Sequence, residues 1–367
     1  MILENKGLLT VKAVDDPKPF GEKPVLLRIV ATGVCGSDIV RYSQGKTYYF
    51  PIILGHEFSA AVEEVPANCR FSKGDRVAVY PLVPDYDDPF SKIGEYNVSS
   101  GYNYFGSRQN GAFSEYLYVP EANLVRIPEQ ILWIHAALAE PAAVALHGIL
   151  KFKTVADSTA LVIGGGPIGA LAAQWLRILG CNNVYISEVD RKKRDILNEL
   201  GFETIDASKL DTVSAIMELS GGRGVNYSVE ACGIPVTFSQ AIESAGIFGQ
   251  VLFLGDVNGE VSLKDSHINS ILRHELKLYG SWNSKIMPVN NNEWHMVFSH
   301  MGKDLQVGPL ITHTPSLDEG PGFFHKMATK KIWFNKVVFR ISEEAEKKVT
   351  AEDDAMTEDN TMAGGNL

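Results

Sequence analysis

Three residues of the kinds that bind transition metals stand close together in the first part of this chain: Cys35 in GVCGSD, and His56 with Glu57 in GHE. A thiolate, an imidazole and a carboxylate suit zinc, whose catalytic sites keep three protein ligands and one open position for water or a substrate oxygen. Glu140, in AEPAAV, is a candidate fourth ligand that alternates with water. Taken singly, each has an ordinary structural reading: a buried thiol for Cys35, a satisfied core imidazole for His56, surface or ion-paired carboxylates for Glu57 and Glu140. Ser37, two residues beyond Cys35, is near enough in a loop to take a proton from a bound hydroxyl and pass it outward, or else it caps a turn. Asp38 is read as orienting this loop, not as reacting.

A second constellation lies in GGGPIG, where Gly164, Gly166 and Gly169, with Pro167 and Ile168 between the last two, satisfy G-x-G-x-x-G. The loop joins the apolar stretch TALVIG to the helical stretch IGALAAQWLRILG, the context in which this pattern cradles a dinucleotide pyrophosphate at a helix N-terminus. Glu188 ends the next strand, NVYISEV, where a carboxylate accepts hydrogen bonds from ribose hydroxyls and repels a 2′-phosphate, so NAD is expected. Arg191 opens the following helix as a further cofactor-contacting candidate; it aids a phosphate there or is a solvated helix-start charge. Zinc and a dinucleotide together explain one reaction, hydride transfer from an alcohol, because zinc supplies the acidity the hydroxyl lacks near neutral pH.

The elements that must position these residues follow from patterning. From Pro24 to about Leu82, short β-rich runs such as VLLRIVATG and AAVEEV alternate with Gly, Pro and Asp turns, which predicts a β-rich, mostly antiparallel first domain. Near Ile134 the texture changes to helical spacing in ALAEPAAVALHGIL, and strands then alternate with helices. The expected architecture is α/β, with a β-rich catalytic domain over 1–145, completed by 281–341 with KVVFRI as its last strand. A doubly wound parallel sheet occupies 146–280. The acidic segment 342–367 has too little apolar surface to order itself.

At 367 residues the chain is long enough for two domains, and 45% hydrophobic with 21% charged residues is a globular balance. A formal charge of −10 argues against a nucleic-acid partner. No apolar run is long enough for a membrane span, and the N-terminus lacks the marks of a signal peptide, so a cytoplasmic protein is expected. Four scattered cysteines, Cys35, Cys69, Cys181 and Cys232, do not make a disulfide framework.

The stretches GVCGSD, YYFPIILGHEFS, GDRVAVYPLVP, YFGSRQNGAFSEY, AEPAAVALH, GGGPIGALAA and ILRHEL with YGSW occur in the order found in the zinc-containing medium-chain dehydrogenases, and the chain resembles their polyol branch over residues 1 to 341. The resemblance implies a GroES-like first domain and an inserted Rossmann domain. It also implies Cys35, His56 and Glu140 at the zinc, Glu57 as a ligand or its neighbour, Ser37 at the proton-relay position, and a homodimer or homotetramer. Two departures stand out. Asp85, Asp88, Ser91 and Ser99 occupy the places of four cysteines that hold a structural zinc in relatives, so one catalytic zinc per chain is expected. Val40 replaces a histidine that extends the relay, which leaves water or a cofactor ribose hydroxyl to follow Ser37.

The expected substrate is a small molecule, a polyol or polyol phosphate oxidised at a secondary alcohol. Lys46, Arg108 and Arg273 are the cations that either meet a phosphate or serve as ordinary surface charge. Alternatives are another alcohol, such as sorbitol, a cyclitol or threonine, and a member of another class that binds the cofactor without catalysis.

Overall fold

The computed structural model describes residues 1–153, 155–286 and 292–345; the expected acidic tail lies, from residue 346 on, outside the described residues. Two compact units emerge. One takes Met1–Glu140 and the chain from Ile311 on, the other Pro141–Leu310.

The first unit is organised about the strand Pro24–Gly33, whose burial alternates over its first half and is complete from Ile29. It pairs antiparallel with Glu57–Glu64, with Tyr116–Pro120 and with Lys336–Arg340, and Arg76–Val79 and Leu124–Arg126 extend the sheet. The antiparallel expectation therefore holds, apart from the parallel pair Ile311–His313 with Lys336–Arg340. Val25, Leu27, Ile29, Phe58, Val77 and Phe105 fill one side of the sheet, while Leu3, Phe113, Phe324 and Phe339 form a second core. Packing of this kind is what turns a twisted sheet into a stable platform for loops.

The second unit holds six parallel strands in the spatial order Glu203–Asp206, Asn183–Glu188, Thr159–Ile163, Val225–Glu230, Ala245–Phe253, Lys277–Gly280. Numbered along the chain this is 3-2-1-4-5-6, the doubly wound order that places a ligand crevice where the direction of winding reverses, beside the first strand. Leu161, Ile163, Ile216, Val225 and Val251 are buried in its core. The chain rejoins the first unit at Ile311, later than the expected 281. Helix Glu293–His300 stays with the parallel sheet because Trp294 and Val297 are buried and Glu293 meets His147 Nδ1 at 2.6 Å.

The glycine loop closes on itself at the end of the first parallel strand. A Cβ added to Gly169 would lie 1.8 Å from the Gly164 carbonyl oxygen, a backbone atom that cannot yield without moving the loop. Gly169→Ala is expected to lower the unfolding free energy by about 1–3 kcal/mol or more, read as a shift in urea midpoint at unchanged slope; an unchanged midpoint contradicts this packing.

Candidate metal and dinucleotide sites

Cys35 leaves the central strand and caps helix Gly36–Gln44, while His56 precedes and Glu57 opens the neighbouring strand, with Gly33 directly opposite Glu57. This register brings the cysteine sulfur, a histidine nitrogen and a Glu57 oxygen within 4.8 Å of one another. Zinc bonds of about 2.0–2.3 Å span separations of nearly this size.

Buried polar groups surround the three. Asp38, fully buried, accepts a hydrogen bond from the Cys35 N–H at 3.0 Å, and its other oxygen lies 3.6 Å from His56 Nδ1 and 3.7 Å from Arg41. Asp38 thus does orient the loop. Glu57 is ion-paired with Lys336, whose Nζ also donates to the Val34 carbonyl at 3.0 Å. Gly33 makes room for that pair, since a Cβ there would meet a Glu57 carboxylate oxygen and lie 3.3 Å from the Lys336 side chain. Glu140 is outside the three-residue cluster; its Oε1 accepts from the Tyr104 hydroxyl at 3.1 Å. The Tyr104 ring stands 5.6 Å from that of His56.

These contacts move the titrations. Burial opposes an imidazolium at His56, yet the Asp38 carboxylate and the Cys35 sulfur outweigh it and hold His56 well above its ordinary range. Burial likewise opposes the charge of Asp38, but His56 and Arg41 keep that carboxyl low. At Lys336 burial is outweighed by Glu57, and the ammonium is retained. Burial pushes Glu140 up to about 7, with His56 pulling down and Glu57 pushing up, and burial beside Glu140 raises Tyr104. Thiol and carboxylates crowd together around His56, whose buried Nδ1 has the Asp38 carboxylate 3.6 Å away. A divalent cation is the partner that such a donor set fits.

Ser37 is half-buried and its Oγ accepts from Arg41 Nη1 at 2.6 Å. Arg41, Tyr104 and Lys336 were not among the sequence candidates. For Lys336 a signal existed: it opens the strand KVVFR, in which every residue but the last is buried, and a lysine inside such a strand requires a carboxylate. In the segment expected to lack a structural zinc, Asp88 caps helix Pro89–Lys92 by accepting from the Phe90 N–H at 2.8 Å, and it also accepts from the Ser100 N–H and hydroxyl. Asp85 accepts from the Asp87 N–H at 3.0 Å, and Ser91 and Ser99 are buried. Of the substrate-cation candidates, Lys46 and Arg273 are exposed and Arg108 is half-buried; Arg273 belongs to the second unit.

In the second unit Gly166 is the N-cap of helix Pro167–Ile178, and Pro167 sits where no N–H is needed. Ile168 is half-buried and Gly169 buried. Glu188 ends its strand as expected. Its Oε2 accepts from the Gly165 N–H at 2.7 Å and its Oε1 from the Asp190 N–H at 2.8 Å, so the carboxylate is fixed against the glycine loop. Arg191 is 86% exposed and lies 3.9 Å from Asp195 at the start of its helix. Among the described residues, no helix is long and apolar enough to cross a membrane.

Known proteins resemble this chain in both units. The sequence pattern of the alcohol dehydrogenase GroES-like domain matches residues 21–129, and that of the zinc-binding dehydrogenases matches 167–301. Galactitol 1-phosphate 5-dehydrogenase of Escherichia coli K12 is 29% identical over 87% of this chain and 93% of its own. A crystal structure of the E. coli galactitol-1-phosphate dehydrogenase superposes with a TM-score of 0.87 at 28% identity, covering 93% and 99% of the two chains. (R,R)-butanediol dehydrogenase of Bacillus subtilis is 33% identical over 68% of this chain and 75% of its own. A zinc-binding dehydrogenase from Sinorhizobium meliloti, solved with NADP, is 29% identical at a TM-score of 0.84 over 93% and 98%.

Removing one member of a buried ion pair strands the other charge. Lys336→Met is therefore expected to cost about 3–5 kcal/mol, with Glu57→Gln recovering part of the loss in the double variant. Denaturant unfolding of all four proteins checks this, and strictly additive losses count against the pair.

Proposed function

The chain belongs to the zinc-containing medium-chain alcohol dehydrogenases, and from that premise we propose that it oxidises a secondary alcohol of a polyol or polyol phosphate with NAD. The observation that carries this reading is the approach of Cys35, His56 and Glu57 to within 4.8 Å inside a buried, acid-rich setting. A zinc ion held by these residues supplies Lewis acidity, drawing the acidity of a bound hydroxyl toward neutral pH.

The remaining chemistry falls to the protein's own groups. Asp38 fixes the Cys35 backbone and faces His56, orienting two ligands in the way a supporting carboxylate does. Lys336 neutralises Glu57 and holds it in the cluster with Cys35 and His56. Glu140, buried and hydrogen-bonded to the Tyr104 hydroxyl at 3.1 Å, is the carboxylate that would serve as a fourth ligand to a bound zinc. Ser37 receives the substrate hydroxyl proton on Oγ and gives up its own hydrogen to water; Arg41 donates to Oγ, occupies one of its lone pairs and aligns the hydroxyl. A dinucleotide held at the glycine loop would take the hydride from the alcohol carbon, leaving the carbonyl compound, the reduced cofactor and one proton.

For the cofactor, Glu188 supports NAD over NADP, because its anchored carboxylate opposes a 2′-phosphate and exposed Arg191 faces solvent. For the metal count, Asp88 spends its oxygens on backbone and serine donors where relatives place thiolates, which supports a single catalytic zinc. For the substrate, the shared stretches and the galactitol 1-phosphate 5-dehydrogenase relative favour a polyol.

Metal analysis of the purified chain is expected to find one zinc, lost in Cys35→Ala and retained in Asp88→Ala. Activity in Cys35→Ala falls at least about a hundredfold, and Ser37→Ala lowers kcat by about 10²–10⁴-fold. NAD reduction across galactitol, galactitol 1-phosphate, 2,3-butanediol and L-threonine tests the substrate class; a butanediol or threonine rate above every polyol rules out the polyol reading.

A further inference from the structure

Arg108 is held by two rings and two hydrogen bonds, yet part of its hydrogen-bonding capacity is unspent. Its guanidinium carbon lies 4.2 Å from the Tyr102 ring centre and 5.1 Å from that of Tyr48. Its Nε donates to the Tyr48 hydroxyl at 3.3 Å and its Nη1 to the Tyr102 carbonyl at 2.6 Å. A guanidinium has five N–H donors, so the Nη2 edge remains without a protein acceptor among the described residues. Arg28, Arg70, Arg126 and Arg194 each face a carboxylate. Arg108 faces none among the described residues, in a chain whose acidic residues outnumber its basic ones, 44 to 34.

The same loop is tied to the metal residues. The Arg108 N–H donates to the Tyr104 carbonyl at 3.0 Å, and the Tyr102 and Tyr104 rings stand 6.3 Å apart. Tyr104 in turn packs 5.6 Å from His56 and hydrogen-bonds Glu140. Between Tyr104 and Arg108, Gly106 lies so close to Gly55 that an added Cβ would be 2.7 Å from the Gly55 carbonyl oxygen, one residue before His56. An aromatic ladder and a backbone contact therefore hold the guanidinium at a set displacement from the ligand cluster.

An arginine fixed before its ligand arrives loses little further side-chain freedom on binding, and its free planar edge matches the oxygens of a phosphate. Resting on the polyol reading above, we infer that Arg108, braced by Tyr48 and Tyr102, is the anion anchor of the substrate site. It receives the phosphate monoester at the far end of a polyol whose secondary hydroxyl lies at Cys35, His56 and Glu57. Phosphate fits better than carboxylate because it brings nearly two charges and three acceptor oxygens to a half-buried cation.

Calorimetric titration of the zinc-loaded full chain with galactitol 1-phosphate, galactitol and galactonate tests the assignment. The phosphate ester is expected to bind about 10–100-fold more tightly than galactitol. Arg108→Ala brings that ratio to within about twofold with zinc content unchanged, and Arg108→Lys keeps part of it. Arg108→Gln, which keeps most of the side-chain stem and a neutral N–H donor, replaces the alanine variant if the latter unfolds. Equal binding of ester and free polyol by the wild type, preference for galactonate, or an undiminished ratio in Arg108→Ala overturns the inference. NAD reduction in the same samples keeps the two readings apart: ester preference without oxidation of any polyol sinks the oxidation reading and leaves the anchor standing.

Discussion

The buried pair of Glu57 and Lys336 is the interaction on which the metal site depends, and it joins residues 279 positions apart along the chain. It exists because one strand, Pro24–Gly33, takes Glu57–Glu64 on one side and Lys336–Arg340 on the other, with Gly33 paired to Glu57 and to Val338. Removing two charges from water is costly, and the geometry must return that cost through close attraction and further hydrogen bonds. Here the Val34 carbonyl accepts from the lysine, and the missing side chain of Gly33 leaves space for both partners. The residues after Ile311 are therefore part of the site, although none of them is a candidate ligand.

Charge balance explains the rest of the cluster. Cys35, Asp38, Glu57 and Glu140 bring more acidic groups into the same buried region than Lys336 and Arg41 neutralise. Local backbone arranges part of this: Asp38 reaches back to the Cys35 N–H because the two flank the first turn of helix Gly36–Gln44. The upward displacement of His56 comes from its acidic neighbours Asp38 and Cys35 against burial, that of Glu140 from burial first with Glu57 adding to it, and a divalent cation suits the same acid-rich setting.

The dinucleotide unit works by a different constraint, backbone sterics. Gly169 admits the Gly164 carbonyl at a distance no side chain tolerates, and Glu188 then clasps the loop through the Gly165 and Asp190 N–H groups. The carboxylate that ends the second strand is thus also a brace for the turn. In the first unit the Gly106 contact with Gly55 plays a similar part, setting the Arg108 loop against the His56 loop.

Read without coordinates, the chain already declares its two architectures, its glycine loop and the set Cys35, His56 and Glu57, because these rest on local patterns: alternation in strands, G-x-G-x-x-G after an apolar strand, ligand types beside turns. Ser37 and Asp38 were legible for the same reason, being within three residues of the cysteine. Lys336, Tyr104 and Arg41 were not singled out, and neither was the point of return at Ile311. Partners of a buried charge are chosen by strand register and by which glycine leaves room, and a return point by which core a helix such as Glu293–His300 fills. Arg108 shows the boundary most plainly. Its charge and its place in YFGSRQNG were visible as letters, but only the folded loop, with Tyr48 and Tyr102 on the guanidinium and Gly106 against Gly55, makes it a rigid donor instead of a solvated side chain.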